Sequence, residues 1–220
     1  KDIEPNVRLK LEIIKTFIEL SNLIGKNRII WRYDPILLNE RYTIKFHLQM
    51  FEKMCQLLYK YTNTVIISFL DIYKNIFNKF NELSDEDVYL LADNLGRIAK
   101  KYHLEIKTCS EKYHLEQYGI KKGSCLEKSY IEDLIGYPLD IKTNQNRTNC
   151  SCLASIDIGA YSCCNHGCLY CYACNHQLVA KNMANHDENS EMLLGYLTDH
   201  DKVIKRNVFS NKEKQLKFDF

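Results

Sequence analysis

The sequence predicts an α/β protein of parallel βα units, part of a partial or permuted TIM-like barrel, with a cysteine-rich loop region towards its C-terminus. Apolar residues recur at helical spacing in three segments, residues 7–23, 43–61 and 84–102. Each is followed by a short β-rich segment, residues 28–34, 64–69 and 103–108. Helices that alternate with strands favour a parallel sheet, because each helix returns the chain to the beginning of the next strand.

Local signals mark where these elements begin and end. Gly25 ends the first helical pattern, and Pro35 is expected to close the first strand because proline has no backbone N–H for sheet pairing. The second strand, Thr64–Phe69, is apolar enough to be buried on both faces, as strands of parallel sheets are. Ser84 and Asp87 have the spacing of an acidic capping box that begins the third helix.

We expect three regions along the chain. Residues 1–145 form the βα-repeat portion, residues 146–176 the iron–sulfur cysteine loop, and residues 177–220 a C-terminal extension packed on the same domain. The chain begins with a helical pattern that no strand precedes. Because three strands would make a thin sheet, we expect further strands upstream to complete it.

Composition excludes several classes of protein. The net charge is +2, from 30 basic and 28 acidic side chains, which is too balanced to indicate a nucleic-acid or membrane surface. No apolar run approaches the roughly 20 residues that span a bilayer. The ten cysteines are not preceded by a charged and then apolar signal segment, so a reducing compartment is the better interpretation. We therefore expect a soluble, cytoplasmic protein.

The strongest chemical signal is a set of three cysteines, Cys164, Cys168 and Cys171, with three and then two residues between them. Three thiolates on a short loop can each bind one iron of a [4Fe–4S] cube, which leaves the fourth iron without a protein ligand. The spacing resembles the signature of radical S-adenosylmethionine (SAM) enzymes. A ferredoxin run continuing through Cys174 would need a fourth cysteine followed by proline, and Leu178 and Val179 stand there instead.

Four further cysteines, Cys109, Cys125, Cys150 and Cys152, supply the number of thiolates that a fully ligated cluster requires. Cys109 follows a predicted strand, Cys125 follows the loop of residues 119–124, and the other two precede the main motif. We expect them to converge on an auxiliary [4Fe–4S] cluster, with a structural zinc ion as the main alternative. Cys55 lies on the apolar stripe of the second helix and is expected in the core.

Polar and aromatic residues beside these motifs are the remaining candidates. Arg32 and Asp34 end the first predicted strand, where parallel sheets collect ligands. Arg32 could grip a carboxylate and Asp34 could accept from a ribose or an amine, or the two could form an ion pair that closes the strand end. Tyr170 and Tyr172 flank Cys171 and could stack on an adenine or take part in ordinary packing.

Taken together, these motifs resemble the bacterial family known as domain of unknown function 1848. His186, Asp187, Ser190, Leu194 and Gly195 extend the likeness towards the end of the chain. The segments that carry it are, in order, Trp31–Ile36, Ile67–Phe69 with Tyr73, Thr108–Glu111, Cys125, Cys150 with Cys152, Asp157–Gly159 with Tyr161, and Cys164–Ala173. The resemblance implies an additional amino-terminal region and a cysteine cluster similar to that of radical SAM proteins, without a substrate that can be carried over.

The resemblance to radical SAM enzymes implies a reaction class. The open iron would chelate SAM, and an electron from a flavodoxin- or ferredoxin-type reductant would cleave it and generate a radical that abstracts hydrogen from an unknown substrate. In typical members of that superfamily the cysteine motif follows the first strand, whereas here the βα units come first. The alternative is a non-catalytic iron–sulfur or zinc-binding module with a structural or electron-transfer role.

Overall fold

The computed structural model describes residues 2–74, 76, 79–143 and 150–212, and these fall into two units. The larger unit is built mainly from Leu9–Ile72 and Phe80–Ala154, and the smaller from the described residues of Lys1–Arg8, Tyr73–Lys79 and Ser155–Asn211. The predicted boundary between residues 145 and 146, and residues 213–220 of the predicted extension, lie outside the described residues. The division into three regions stays a prediction.

The larger unit contains a four-stranded sheet whose strands all run parallel, in the order β1-β2-β3-β4. The strands are β1 (Trp31–Ile36), β2 (Thr64–Phe69), β3 (Glu105–Cys109) and β4 (Lys121–Gly123). The predicted parallel α/β architecture is therefore confirmed. Among the described residues β1 and β4 are the two edges of an open sheet, so a closed barrel is not shown.

Helices precede, connect and follow these strands. The larger unit holds α1 (Lys10–Ile24), α2 (Ile44–Leu58), α3 (Asp85–Lys101) and α4 (Lys128–Ile135), and the smaller unit holds α5 (His176–Ala184). The predicted cap of α3 is confirmed, because the Ser84 hydroxyl accepts a hydrogen bond from the Asp87 amide at 3.1 Å. No helix in the described part of the chain is long and apolar enough to cross a membrane.

Two strand predictions are wrong in detail. Strand β1 does not end before Pro35 but continues to Ile36, with a shift of pairing between Tyr33 and Ile36. Proline is tolerated there because β1 is an edge strand among the described residues, and a proline can stand where no ladder hydrogen bond is required. Strand β4 was expected to be loop, since Lys121–Gly123 has no apolar pattern, and its strand conformation comes from backbone pairing with β3.

The core of the larger unit lies between the sheet and helices α2 and α3. Trp31 stacks on Phe51 with ring centroids 5.0 Å apart, and Leu95 and Ile67 are fully buried nearby. Burial of each such side chain contributes about 1.5–3 kcal/mol to the free energy of folding. Strand β2 is buried on both faces, as its composition predicts. Cys55 has no exposed surface, which confirms it as a core residue.

Helix α3 approaches the turn before β4 at a glycine. A Cβ atom on Gly96 would lie 2.0 Å from the Tyr118 carbonyl oxygen, well inside contact distance. Only glycine therefore allows α3 to pack this closely against the turn Glu116–Tyr118 that leads into β4.

A buried histidine joins β1 to α2. The Nε2 of His47 lies 2.8 Å from the Leu37 carbonyl oxygen, which can only accept, so Nε2 carries the hydrogen. The Nδ1 atom then accepts from the Tyr33 hydroxyl at 2.9 Å. Burial lowers the pKa of His47 below 6.5, and the neutral ring satisfies both partners.

We expect this histidine to make the protein less stable as the pH falls below 6.5. In that range the unfolded chain binds a proton at His47 and the folded chain does not, so the free energy of unfolding falls by up to about 1.4 kcal/mol per pH unit. Burial raises the pKa of Glu111 to about 7, which gives a slope of opposite sign in the same range.

The comparison of wild type with His47→Gln by urea unfolding, at each pH from about 7 to about 5, isolates the histidine. The stability advantage of the wild type should shrink as the pH falls. An advantage that stays constant over this range would contradict a buried neutral His47.

Candidate metal centre

The carboxyl ends of β3 and β4 bring two cysteines together. Cys109 is the last residue of β3 and pairs with Gly123 at the end of β4, and Cys125 follows two residues later. A third segment joins them because the Leu153 amide donates to the Leu126 carbonyl at 3.0 Å, which places Cys152 beside Cys125. Three separate parts of the chain thus contribute one thiol each.

The sulfur atoms of Cys109, Cys125 and Cys152 all lie within 4.8 Å of one another, and those of Cys109 and Cys125 are 2.9 Å apart. These three could hold a metal ion. In the part of the chain that the structure describes, no other group of three or more cysteine, histidine or carboxylate side chains meets this spacing. The expected convergence of the second cysteine set is therefore found for three of its four members.

The fourth predicted member, Cys150, lies close to this group but outside it. Burial raises the pKa of the Cys152 thiol, and the neighbouring Cys150 side chain adds to that shift. Its sulfur is not within 4.8 Å of all three others. Cys150 is thus adjacent to Cys152 without being part of the triad, by which we mean Cys109, Cys125 and Cys152.

Arg32 connects the triad to the first strand. Its Nη1 donates to the Cys125 sulfur at 2.9 Å, and its Nε donates to the Asp34 carboxylate at 3.1 and 3.2 Å. The sequence left open whether Arg32 and Asp34 bind a ligand or pair with each other, and the structure contains the pair. The contact with Cys125 joins residues 93 positions apart, and no sequence signal indicated it.

These contacts shift the pKa values of the two thiols in opposite directions. Cys125 accepts hydrogen bonds from the Cys109 thiol and from Arg32, and these lower the pKa of Cys125 to about 5. The same hydrogen bond to Cys125 raises the pKa of Cys109, with burial acting in the same direction. These opposite shifts favour the thiolate at Cys125 and the thiol at Cys109, and the thiolate is the form of cysteine that binds a metal ion.

A buried carboxyl group lies near the carboxyl ends of the strands. Glu111 accepts a hydrogen bond from the Phe69 amide at 2.8 Å, which ties the end of β2 to the segment after β3. Burial raises its pKa to about 7. This hydrogen bond holds the backbone two residues after Cys109 against the end of β2.

The smaller unit holds the main cysteine motif on a loop. The Cys171 amide donates to the Cys168 carbonyl at 3.2 Å, and the loop is anchored to the start of the chain where the Leu169 amide donates to the Ile3 carbonyl at 2.9 Å. Burial raises the pKa of Cys168, to which the charges of Cys171 and Cys164 also contribute. Among the described residues these three thiols do not form a group within 4.8 Å.

The two tyrosines of this loop have different surroundings. The Tyr170 hydroxyl donates to Glu4 at 2.6 Å, so this ring helps to hold the start of the chain. Tyr172 is half exposed and lies against Tyr73 with ring centroids 5.0 Å apart. Tyr172 also lines a cleft of about 560 Å³ together with Cys171 and Cys174. Stacking of either tyrosine on an adenine stays a prediction.

The fold and the triad together define an α/β protein with a candidate thiolate metal site at the carboxyl ends of parallel strands. The chain belongs to the family described as Domain of unknown function (DUF1848), whose model matches residues 1–173. The match includes the triad and all three cysteines of the main motif, and the predicted likeness beyond residue 173 stays a prediction. No curated protein and no solved structure matches the chain.

Proposed function

We propose that this protein is a thiolate metalloprotein and that the triad is one of its metal centres. The observation that carries the proposal is the meeting of three sulfur atoms within 4.8 Å from three separate segments of the chain. A cluster of free thiols has no structural need to form there, because thiols pack as small apolar groups anywhere in a core. Thiolates at this spacing are what a soft or borderline metal ion binds.

The close approach of the sulfurs favours a single tetrahedral ion at the triad. Zinc–sulfur bonds of about 2.3 Å in a tetrahedron place the ligand sulfurs about 3.8 Å apart, which lies inside the 4.8 Å limit. The sulfurs of Cys109 and Cys125, now 2.9 Å apart, would have to separate by about 1 Å to bind such an ion. A [4Fe–4S] cube binds each cysteine at a different iron and needs more widely separated sulfurs. We therefore favour the zinc alternative over an auxiliary cluster at this centre. Cys150, beside Cys152, is the candidate for the fourth ligand.

Metal analysis of the full chain, purified without oxygen and without chelator, tests the first proposal. We expect about one equivalent of zinc that is retained when iron and sulfide are removed, and that leaves when the thiols are alkylated. Protein that binds no thiolate-dependent metal, even after zinc is added, would overturn the proposal.

For the smaller unit we propose a [4Fe–4S] centre of radical SAM type on Cys164, Cys168 and Cys171. The support is the cysteine spacing, which leaves one iron open, and the position of Cys171 at the wall of a cleft that a small molecule can enter. When bound, the cluster would supply the electron that cleaves SAM. The chain would hold the loop in place through Ile3 and offer Tyr172 to an adenine.

This proposal also names partners. The cluster would be reduced by a flavodoxin- or ferredoxin-type protein, and the radical would act on a substrate that the sequence does not identify. The competing role is a non-catalytic iron–sulfur or zinc module that stabilises the fold or transfers electrons.

Electron paramagnetic resonance of the anaerobically reconstituted and reduced protein, with and without SAM, separates the two roles. We expect a [4Fe–4S] signal that changes when SAM is added, and reductive cleavage of SAM. Cys168→Ala should lose both the signal and the cleavage, whereas Cys55→Ala, a change in the core, should keep them. A cluster signal that is indifferent to SAM would favour the electron-transfer module, and zinc without iron would favour the structural one.

A further inference from the structure

We propose that Cys109 and Cys125 form a redox-active dithiol, and that its oxidation to a disulfide releases the metal from the triad. The dithiol itself stands on the geometry of the two thiols. The release of metal rests in addition on the proposed metal centre.

The distance between the two sulfurs carries the inference. They are 2.9 Å apart, and a disulfide bond of about 2.05 Å requires them to approach by less than 1 Å. The backbones are already neighbours, because Cys109 pairs with Gly123 on the adjacent strand and Cys125 lies two residues beyond Gly123. The bond can therefore form with only small movements of two side chains.

The exposure of the two thiols indicates which of them is oxidised first. Cys125 is exposed to solvent, whereas Cys109 is only partly accessible, so an oxidant dissolved in water meets Cys125 first. The Arg32 guanidinium donates to the Cys125 sulfur at 2.9 Å and so holds this sulfur beside that of Cys109. Cys109 is then positioned to attack the oxidised sulfur.

The chemistry balances with a hydroperoxide as the oxidant. The Cys125 sulfur attacks one peroxide oxygen, the O–O bond breaks, and a sulfenic acid forms as hydroxide leaves. The Cys109 sulfur attacks the sulfenic sulfur, the S–S bond forms, and the sulfenic oxygen leaves as water. With hydrogen peroxide, two thiols and one peroxide give one disulfide and two waters. A dithiol reductant reverses the step by thiol–disulfide exchange.

The consequence for a metal follows from ligand chemistry. Metals of this class are held by thiolates, and a disulfide sulfur no longer carries that charge. Formation of this one disulfide would remove two of the three triad ligands and leave Cys152. The metal should then leave in proportion to the disulfide formed.

Mass spectrometry of the full chain tests this with little ambiguity. Trypsin cuts after Lys107 and Lys112 around Cys109, and after Lys122 and Lys128 around Cys125. Each peptide then contains a single cysteine, so a linked pair identifies the disulfide directly. After zinc loading, stepwise addition of hydrogen peroxide and alkylation of the remaining thiols, we expect this linked pair as the main product, with zinc released in equal amount.

Two variants separate the dithiol from the metal. Cys125→Ser should lose the linked peptide completely. Cys152→Ser should lose the zinc but still form the disulfide, because both partners remain. If the wild type binds no zinc yet forms the linked peptide, the metal proposal fails and the dithiol stands. If Cys109 and Cys125 are instead recovered unlinked, or linked mainly to other cysteines, the inference is overturned.

Discussion

Replacement of Cys125 or Cys109 with serine is expected to remove one equivalent of zinc from this protein. Each contributes one of the three sulfurs that meet within 4.8 Å, and a serine hydroxyl does not replace a thiolate as a zinc ligand. Changes to residues that only support a metal ligand cost about 10–100-fold in affinity, so the loss of a ligand itself should cost more than that.

A graded series sharpens the test. Arg32→Met removes the donor to the Cys125 sulfur while keeping all the thiols, and should weaken zinc binding by about 10–100-fold without abolishing it. Cys55→Ala removes a thiol that is buried in α2, and should bind zinc like the wild type. Zinc affinity is measured by competition with a chromophoric chelator. Equal affinity in the wild type and Cys125→Ser would show that the triad is not the binding site.

Gly96→Ala is expected to destabilise the larger unit, although alanine is the better helix former. At an ordinary position inside a helix this change stabilises by about 0.5–1 kcal/mol. At Gly96 the new methyl group would lie 2.0 Å from the backbone oxygen of Tyr118, which cannot turn aside as a side chain can. Overpacking of this kind costs about 1–3 kcal/mol, so the clash should outweigh the gain in propensity.

Urea unfolding measures this effect, with Lys100→Ala as the matched control. Lys100 is exposed in the last turn of the same helix, and its replacement should change the unfolding free energy by less than about 0.5 kcal/mol. Because the turn at Tyr118 leads into β4, the Gly96 variant should also bind zinc more weakly than the control. A Gly96→Ala protein more stable than the wild type would contradict the close packing of α3 on this turn.

Much of the architecture was predictable because it depends on local patterns. The helical spacing of apolar residues located α1, α2 and α3, and the apolar run in β2 indicated burial on both faces. Strand β4 was missed because three residues, two of them lysine, carry no periodic signal. Its pairing is supplied by the backbone of β3, which no property of the three side chains reveals.

The candidate site was predictable in part for the same reason. Cys109 and Cys152 were expected to converge because the four cysteines outside the main motif match the number of thiolates in a fully ligated cluster, and because Cys109 follows a predicted strand. The contact between Arg32 and Cys125 was not predictable, since it depends on how β1 lies relative to β4 across the sheet. The radical SAM motif is recognised only by the spacing of its cysteines in the sequence, so the cluster there remains a proposal. The triad is supported in addition by sulfur atoms that lie close together in the structure.

The origin of the triad in three segments gives a bound metal a mechanical role. Cys109 belongs to the sheet, Cys125 follows its edge strand, and Cys152 lies on a later segment that the Leu153 amide attaches to Leu126. An ion held by all three would tie that later segment to the sheet as a covalent cross-link would, and the free energy of its binding would become free energy of folding. Oxidation of Cys109 and Cys125 would then remove this cross-link and release the Cys152 segment from the metal, while the apolar core keeps the strands together.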